Sequence, residues 1–149
     1  MAREKPLRLE GGTPICDARQ PDAARTGYAV SWIDYWNSDT PIYVNARHKR
    51  VHYDAVTRDI LPYVPRPDSR AVDYGCGDTL TADRLAAACG ELLLCDAAPR
   101  VREQLRTRYA GNPKIAVIAP EEFEILPART VDLIVANSVV QYLSMPQFM

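Results

Sequence analysis

The sequence predicts an α/β fold in which helices pack on both faces of a parallel sheet. Short apolar segments alternate with helical patterns from residue 71 to residue 137, and such alternation builds parallel sheets. A turn with two glycines follows the first apolar segment, and an aspartate ends the second. Polar side chains and a flexible turn are therefore expected to meet at the carboxyl ends of adjacent strands, where such folds bind their ligands.

Composition indicates a globular protein of about one domain. The sequence has 149 residues, of which 47% are hydrophobic and 25% are charged. The 18 basic side chains nearly balance the 19 acidic ones, which disfavours a strongly basic nucleic-acid-binding protein. The N-terminus lacks the apolar core of a secretory signal, and no apolar run approaches the roughly 20 residues of a membrane helix.

The four cysteines indicate a reducing environment. Cys16, Cys76, Cys89 and Cys95 include no pair with two-residue spacing, so the sequence does not support a zinc site, and no metal is expected. Three of the four lie in apolar segments, where a free thiol packs as a small hydrophobic group. We therefore expect reduced thiols and a cytoplasmic protein.

Residues 1–38 are expected to form an N-terminal extension, and residues 39–149 the folded domain. The first helix of the domain is predicted from about residue 40 to Leu61, with Thr40 as its cap, Pro41 in its first turn and Pro62 as its stop. Its predicted packed face is a stripe at three- and four-residue spacing, formed by Val44, His48, Val51 and Ala55.

The rest of the domain alternates between strand and helix. Strands are predicted at about 71–75, 92–96, 115–119 and 131–137. One helix is predicted at about 81–89, with Thr81 as its cap and Gly90 after its end. A second is predicted at 99–109, with Val101, Leu105 and Tyr109 on one face. Right-handed crossovers then place helices on the sheet faces.

The turn at Gly75 and Gly77 indicates a binding site. Glycine lets the backbone turn sharply and approach a ligand closely. Asp96, 19 residues after Gly77, ends the next strand, where a carboxylate can accept the hydroxyl protons of a ribose. A dinucleotide fingerprint requires a third glycine where this chain has Leu80, and Asp78 would repel a pyrophosphate. The pattern favours S-adenosylmethionine, whose sulfonium is cationic, over NAD or FAD.

In these segments the chain resembles the class I S-adenosylmethionine-dependent methyltransferases. Val72–Gly77 is similar to their first motif, Leu93–Asp96 to their second strand with its ribose-binding acid, and Leu126–Leu143 to their fourth strand with the segments around it. The resemblance extends over about residues 40–149. It implies a Rossmann-like, doubly wound parallel sheet that contains the strand order 3-2-1-4 and continues with strands 5, 7 and 6.

The resemblance also implies roles for individual residues. Asp96 would bind the ribose, Ala97 would pack on the adenine, and Glu121 or Glu122 would contact the adenine amino group. Thr79 departs from the pattern, since many members have a third glycine there. The residues expected at the cofactor are Asp73, Gly75, Cys76, Gly77, Asp96, Ala97, Glu121, Glu122 and Asn137.

The catalytic candidates are His48 and His52 on the first helix and Gln141 after the fourth strand. An N-terminal helix covers the cofactor cleft in the resembled family, and a histidine there could act as general base for a hydroxyl acceptor. Histidines beside an apolar stripe also serve as packing residues. Asn137, Ser138 and Gln141 are equally explained as the start of a helix.

We expect a methyltransferase that acts on a small molecule by direct in-line displacement, without nucleic-acid or membrane partners. The alternatives are a non-catalytic or truncated cofactor-binding remnant and, with less support, a NAD-binding domain. Only 12 residues follow the fourth predicted strand (149 − 137), so we expect a domain truncated before strands 5–7. Its apolar fourth strand would then be an open edge, which favours self-association or a partner chain.

Overall fold

The computed structural model describes residues 32–38 and 42–142. The cap and first-turn residues predicted at Thr40 and Pro41, as well as Cys16, lie outside these ranges. The strands are β1 (Arg70–Tyr74), β2 (Glu91–Cys95), β3 (Ile115–Ile118) and β4 (Leu133–Val135). The α-helices are α1 (Trp32–Trp36), α2 (Ala46–Ile60), α3 (Ala82–Ala88), α4 (Pro99–Tyr109) and α5 (Pro120–Glu124), and short 3-10 turns cover Leu61–Tyr63 and Val140–Tyr142.

All four strands are parallel and lie in the order β3-β2-β1-β4, which confirms the predicted sheet. Val72 at the centre of β1 is level with Leu93 of β2 and Ile134 of β4. The chain adds β2 and β3 on one side of β1 and then returns to place β4 on the other side. The strand order therefore reverses between β1 and β4, and ligands bind beside such a reversal in open α/β sheets.

Apolar side chains separate into two layers, one on each face of the sheet. The larger layer joins Leu92 and Leu94 of β2 to Leu85 of α3 and Leu105 of α4. The smaller layer, around Val72, includes Leu93 and Cys95 and is covered by partly buried side chains such as Phe123 of α5. Helices thus pack on both faces, as predicted.

Helix α2 begins later than predicted and packs through a different face. Asn45 is its cap, because the Asn45 Oδ1 accepts the backbone N–H of His48 at 2.9 Å. The predicted stripe is largely exposed: Val44 is 86% and Val51 57% accessible. The buried residues of the helix are Tyr53 and Thr57. The helix is oriented by polar contacts with α3 and its cap, between Thr57 and Thr81 and between Asp54 and Arg84, and not by its apolar stripe.

Two elements near the third and fourth strands differ from the prediction. Helix α5 is not among the predicted helices. Pro120 occupies its first turn, and Glu122 accepts the Ala119 N–H at 2.7 Å through its carboxylate. Strand β4 is only three residues long, because pairing with β1 is limited to the three positions from Leu133 to Val135. Three residues beyond Val135, the last residue of the strand, the chain turns at Ser138, whose φ is 58°.

In the described ranges no helix is long and apolar enough to cross a membrane. Cys76, Cys89 and Cys95 are free and buried, as expected for thiols that pack as small apolar groups.

Gly90 offers a test of the packing between the α3–β2 turn and the segment that enters β1. A β-carbon on Gly90 would lie 2.7 Å from the Asp68 carbonyl oxygen, whereas one on Gly111 would meet nothing within 4 Å. We expect Gly90→Ala to cost about 1–3 kcal/mol of unfolding free energy, because backbone must move to admit the methyl group. Thermal denaturation with Gly111→Ala as control checks this, and equal melting temperatures for the two variants would contradict it.

Candidate functional site

The glycine turn after β1 folds back over the end of β2. Both glycines adopt left-handed backbone angles, with φ of 71° at Gly75 and 55° at Gly77. The backbone N–H groups of Gly75 and Cys76 both donate to the Cys95 carbonyl oxygen, at 2.8 and 3.2 Å. Left-handed angles strain residues that carry a β-carbon, so the turn depends on glycine at both positions.

Asp96 fastens this turn from the adjacent strand. One carboxylate oxygen accepts the Gly77 N–H at 3.0 Å, and the other accepts the Ala98 N–H at 2.8 Å. Burial raises the pKa of Asp96, while these two hydrogen bonds act in the opposite direction. A carboxylate oxygen has about two acceptor positions, so each oxygen retains one for a ligand hydroxyl.

Asp73 lies at the end of β1, beside this arrangement. Within the described ranges, no donor reaches its carboxyl group. Burial, and secondly the negative charge of Asp96, raise its pKa to about 7. The Cys76 thiol next to it is buried as well, and burial raises its pKa. A cationic ligand group would relieve the repulsion between Asp73 and Asp96.

Asp78, the residue after Gly77, forms ion pairs with two cations. Lys49 reaches it from α2 and Arg108 reaches it from α4. The interpretation of Asp78 as an uncompensated negative charge that repels phosphate was therefore wrong. The negative character of the site comes from Asp73 and Asp96.

Helix α2 covers the turn with an aromatic cluster. The Tyr53 ring lies 5.9 Å from that of Tyr43 and 5.2 Å from that of His52. Burial raises the pKa of Tyr53, so its phenol stays protonated. His48 and His52 are exposed and lie on either side of Tyr43, with ring separations of 5.6 and 5.4 Å. The His48 Nδ1 accepts the Val44 N–H at 3.3 Å, a contact local to the start of the helix.

The segment after β4 approaches the turn from the opposite side. Val139 is buried, whereas its neighbours Ser138 and Val140 are exposed. A β-carbon on Gly75 would lie 2.7 Å from the Val139 Cβ and would overlap its Cγ2. Asn137 accepts the Ser138 hydroxyl at 2.7 Å, and Gln141 is exposed in the 3-10 turn.

The expected adenine-side residues lie farther along the sheet edge. Glu121 and Glu122 are both exposed in the first turn of α5, and Glu122 caps its own helix. Ala97 is partly buried, and its carbonyl oxygen accepts Arg102 Nη1 at 2.8 Å.

The arginines of α4 are engaged within the protein. Arg102 also donates to the Asp96 carbonyl oxygen, Arg106 to that of Val117 and Arg108 to that of Thr79. The helix therefore ties the loops after β1 and β2 to β3.

The structure brings Asp73, Gly75, Cys76, Gly77 and Asp96 together at the carboxyl ends of β1 and β2. Sequence reasoning missed three neighbours of the turn: Lys49, Tyr53 and Val139. The four-residue spacing of Lys49 and Tyr53 could have indicated a shared helix face. Nothing in the sequence pattern distinguishes Val139 from Val140.

Chemically, this arrangement suits a ligand with a cationic group and neighbouring hydroxyls. Two partly buried carboxylates flank the turn, and one of them has acceptor positions left for hydroxyl protons. A pyrophosphate would meet the same two carboxylates and be repelled.

Comparison with known proteins gives a family match. The family model described as a methyltransferase domain matches residues 72–149, which is more than half of the chain. No curated protein sequence matches the chain.

Solved structures share the fold. The N-methyltransferase NodS from Bradyrhizobium japonicum WM9, in complex with S-adenosyl-L-homocysteine, is 24% identical with a TM-score of 0.56, over 77% of this chain and 59% of NodS. The amino pentose methyltransferase CalS10 from Micromonospora echinaspora, with bound S-adenosylmethionine, is 18% identical with a TM-score of 0.51, over 72% of this chain and 48% of CalS10. The chain thus spans about half the length of these proteins.

Proposed function

The chain belongs to the methyltransferase domain family, and we propose on this premise that it binds S-adenosylmethionine at the glycine turn and serves methyl transfer to a small molecule. Bound there, S-adenosylmethionine supplies a methyl group on a cationic sulfonium, which an acceptor takes by in-line displacement. The protein's own part is to bind, orient and exclude water.

The observation that carries this proposal is the pair of carboxylates on either side of the turn. Asp73 is partly buried and meets no donor among the described residues, and the negative charge of Asp96 further disfavours its ionised form. A sulfonium or an ammonium group would remove that cost, since an opposite charge favours the ionised carboxylate. The residues present therefore fit this cofactor better than a dinucleotide.

Each residue of the site has a proposed task. Asp96 binds the ribose hydroxyls through its remaining acceptor positions, Asp73 faces the cationic end, and the left-handed glycines bring backbone close to the ligand. Ala97 lies next to Asp96, where it would pack on the adenine. Glu121 remains the proposed partner of the adenine amino group, because Glu122 already caps α5.

The acceptor is proposed to be a small molecule. Arg102, Arg106 and Arg108 are committed to backbone carbonyls, and Arg108 also pairs with Asp78. The sequence as a whole is also close to neutral, which disfavours a nucleic-acid backbone as the acceptor. His52, exposed beside the cluster that covers the turn, is the proposed general base, with His48 and Gln141 as further candidates at the acceptor.

Titration calorimetry and turnover test this function separately. We expect S-adenosylmethionine and S-adenosylhomocysteine to bind and NAD not to bind. Methyl transfer from a labelled cofactor to a panel of amines, phenols and carboxylic acids then identifies the acceptor. Binding without turnover on any acceptor would favour the non-catalytic alternative, and tighter binding of NAD would contradict the proposal.

The edge of β4 is proposed to associate with a second copy. No strand in the described ranges pairs with its outer side, and Ile134 is 56% exposed. We expect the sedimentation coefficient to rise with concentration, and Ile134→Lys to abolish the rise because a buried charge disfavours strand pairing. Val44→Lys, at a position that is 86% exposed on α2, is the control. A parent protein that stays monomeric at high concentration would contradict self-association.

We also propose that residues 1–38 form an extension to the domain. The three buried free thiols support a cytoplasmic location.

A further inference from the structure

The two glycines of the turn face different protein neighbours. Gly75 is in contact with Val139, from the segment after β4, and Gly77 lies under Tyr53, from α2. Val139 and Tyr53 are each 8% exposed. Both glycines adopt left-handed angles, so neither position tolerates a β-carbon well, but the steric reason differs between them.

The contact at Gly75 closes the site where the strand order reverses. Gly75 follows β1 and Val139 follows β4, and these neighbouring strands are the two between which the sheet order reverses. A β-carbon on Gly75 would lie 2.7 Å from the Val139 Cβ. The distance between the loop after β1 and the loop after β4 is therefore set by the contact of the Val139 side chain with the Gly75 backbone. A ligand that binds between these loops must fit within that distance.

The contact at Gly77 is made by Tyr53 of helix α2. A β-carbon on Gly77 would lie 3.3 Å from the Tyr53 Oη. One helical turn before Tyr53, Lys49 pairs with Asp78, the residue after Gly77. One helical turn after Tyr53, Thr57 shares a hydrogen bond of 2.6 Å with Thr81, so polar contacts hold the helix in place on both sides of Tyr53.

We propose that Val139 and Tyr53 are positioning residues for the glycine turn, and that the turn keeps its cofactor-binding shape only while neither glycine is displaced by the side chain that covers it. Their role rests on the proposed methyltransferase function. They act through Gly75 and Gly77, and no chemical step is assigned to them. The segment after β4 and helix α2 thereby each influence the affinity for the cofactor, although neither belongs to the glycine turn.

Crossed double variants test this directly, with S-adenosylhomocysteine as the probe in calorimetry and with thermal denaturation in parallel. We expect Gly75→Ala and Gly77→Ala each to weaken binding by roughly tenfold, because both positions are left-handed and closely covered. Val139→Gly, which removes the Cβ together with both methyl groups, should then recover about fivefold in Gly75→Ala but nothing in Gly77→Ala. Tyr53→Phe, which removes the hydroxyl oxygen, should recover affinity only in Gly77→Ala.

The crossed pairs are matched controls, since both glycines have left-handed backbone angles and the side chain that covers each of them differs. If Val139→Gly rescues both glycine variants equally, or neither, the proposal is overturned. Should Gly75→Ala fail to fold, Val139→Leu replaces it: it should weaken binding by roughly tenfold, whereas Val140→Leu, at a position that is 43% exposed, should not.

The failure of this proposal is distinguishable from failure of the proposed function. A parent protein that does not bind S-adenosylhomocysteine contradicts the methyltransferase function alone. The melting temperatures of the same variants still report whether residues 75 and 139 are coupled, since coupling in stability needs no ligand.

Discussion

Asp96→Ala is expected to lower the affinity for S-adenosylmethionine by roughly 10- to 150-fold, the loss of about 1.5–3 kcal/mol of hydrogen bonds to a charged group. The structure adds a second cost that the sequence did not reveal. The Gly77 and Ala98 N–H groups would both lose their acceptor, and the turn would lose its tie to β2. We therefore expect a lower melting temperature together with the loss of affinity.

Asp132→Ala is the matched control. Asp132 also accepts a backbone amide, that of Arg70 at 2.9 Å, but it lies at the opposite end of the sheet. We expect it to lower the melting temperature while calorimetry shows parental affinity. An Asp96→Ala protein that binds the cofactor as tightly as the parent does would show that Asp96 holds the turn and not the ribose.

Asp73 is expected to make cofactor affinity depend on pH. Its pKa of about 7 means that the free protein holds a proton on this carboxyl group below neutrality. A cationic ligand favours the ionised form, so binding below about pH 7 releases that proton. Affinity should therefore rise by up to about tenfold per pH unit from about pH 5, and level off above about pH 7.

The free energy of unfolding is expected to change with pH in the opposite direction to the cofactor affinity. Because the pKa of Asp73 is higher in the folded protein than in the unfolded chain, the group's stabilising contribution is full at low pH and is lost as the pH rises through about 7. Asp73→Asn removes this titration. The variant should be more stable than the parent at about pH 8, and it should bind the cofactor weakly and with little dependence on pH.

Calorimetry from about pH 5 to about pH 8 with two ligands shows whether the sulfonium or the ammonium group of the cofactor lies at Asp73. S-adenosylhomocysteine retains the ammonium group of S-adenosylmethionine but lacks the sulfonium. A steeper pH dependence for S-adenosylmethionine would place the sulfonium at Asp73, and equal slopes would place the ammonium there. Cys76 stays protonated in this range, because burial raises the pKa of its thiol. A parent affinity that does not change with pH would contradict the assignment.

Much of the sheet could be predicted because its signals are local. Strands β1, β2 and β3 begin or end within about a residue of the prediction, and α4 has the predicted bounds, since apolar runs and helix periodicity are properties of short segments. Once strands and helices alternate, right-handed crossovers leave few possible orders of the strands. Helix α5 was missed because its five residues carry little periodicity.

The orientation of α2 could not be predicted in this way. Its apolar stripe is weak, and the contacts that orient it are polar and distant in sequence: Lys49 to Asp78, Thr57 to Thr81, and Asp54 to Arg84. A hydrophobic pattern contains no information about such pairs.

The sequence by itself determined the glycine turn, the aspartates at Asp73 and Asp96, and the side of the sheet on which they meet. These follow from residue type and from the ends of consecutive strands. Only the tertiary structure decided that Asp78 is paired and that Val139 and not Val140 reaches Gly75. Such contacts depend on the exact distance between loops that are far apart in the sequence. Close packing sets this distance to a fraction of an ångström.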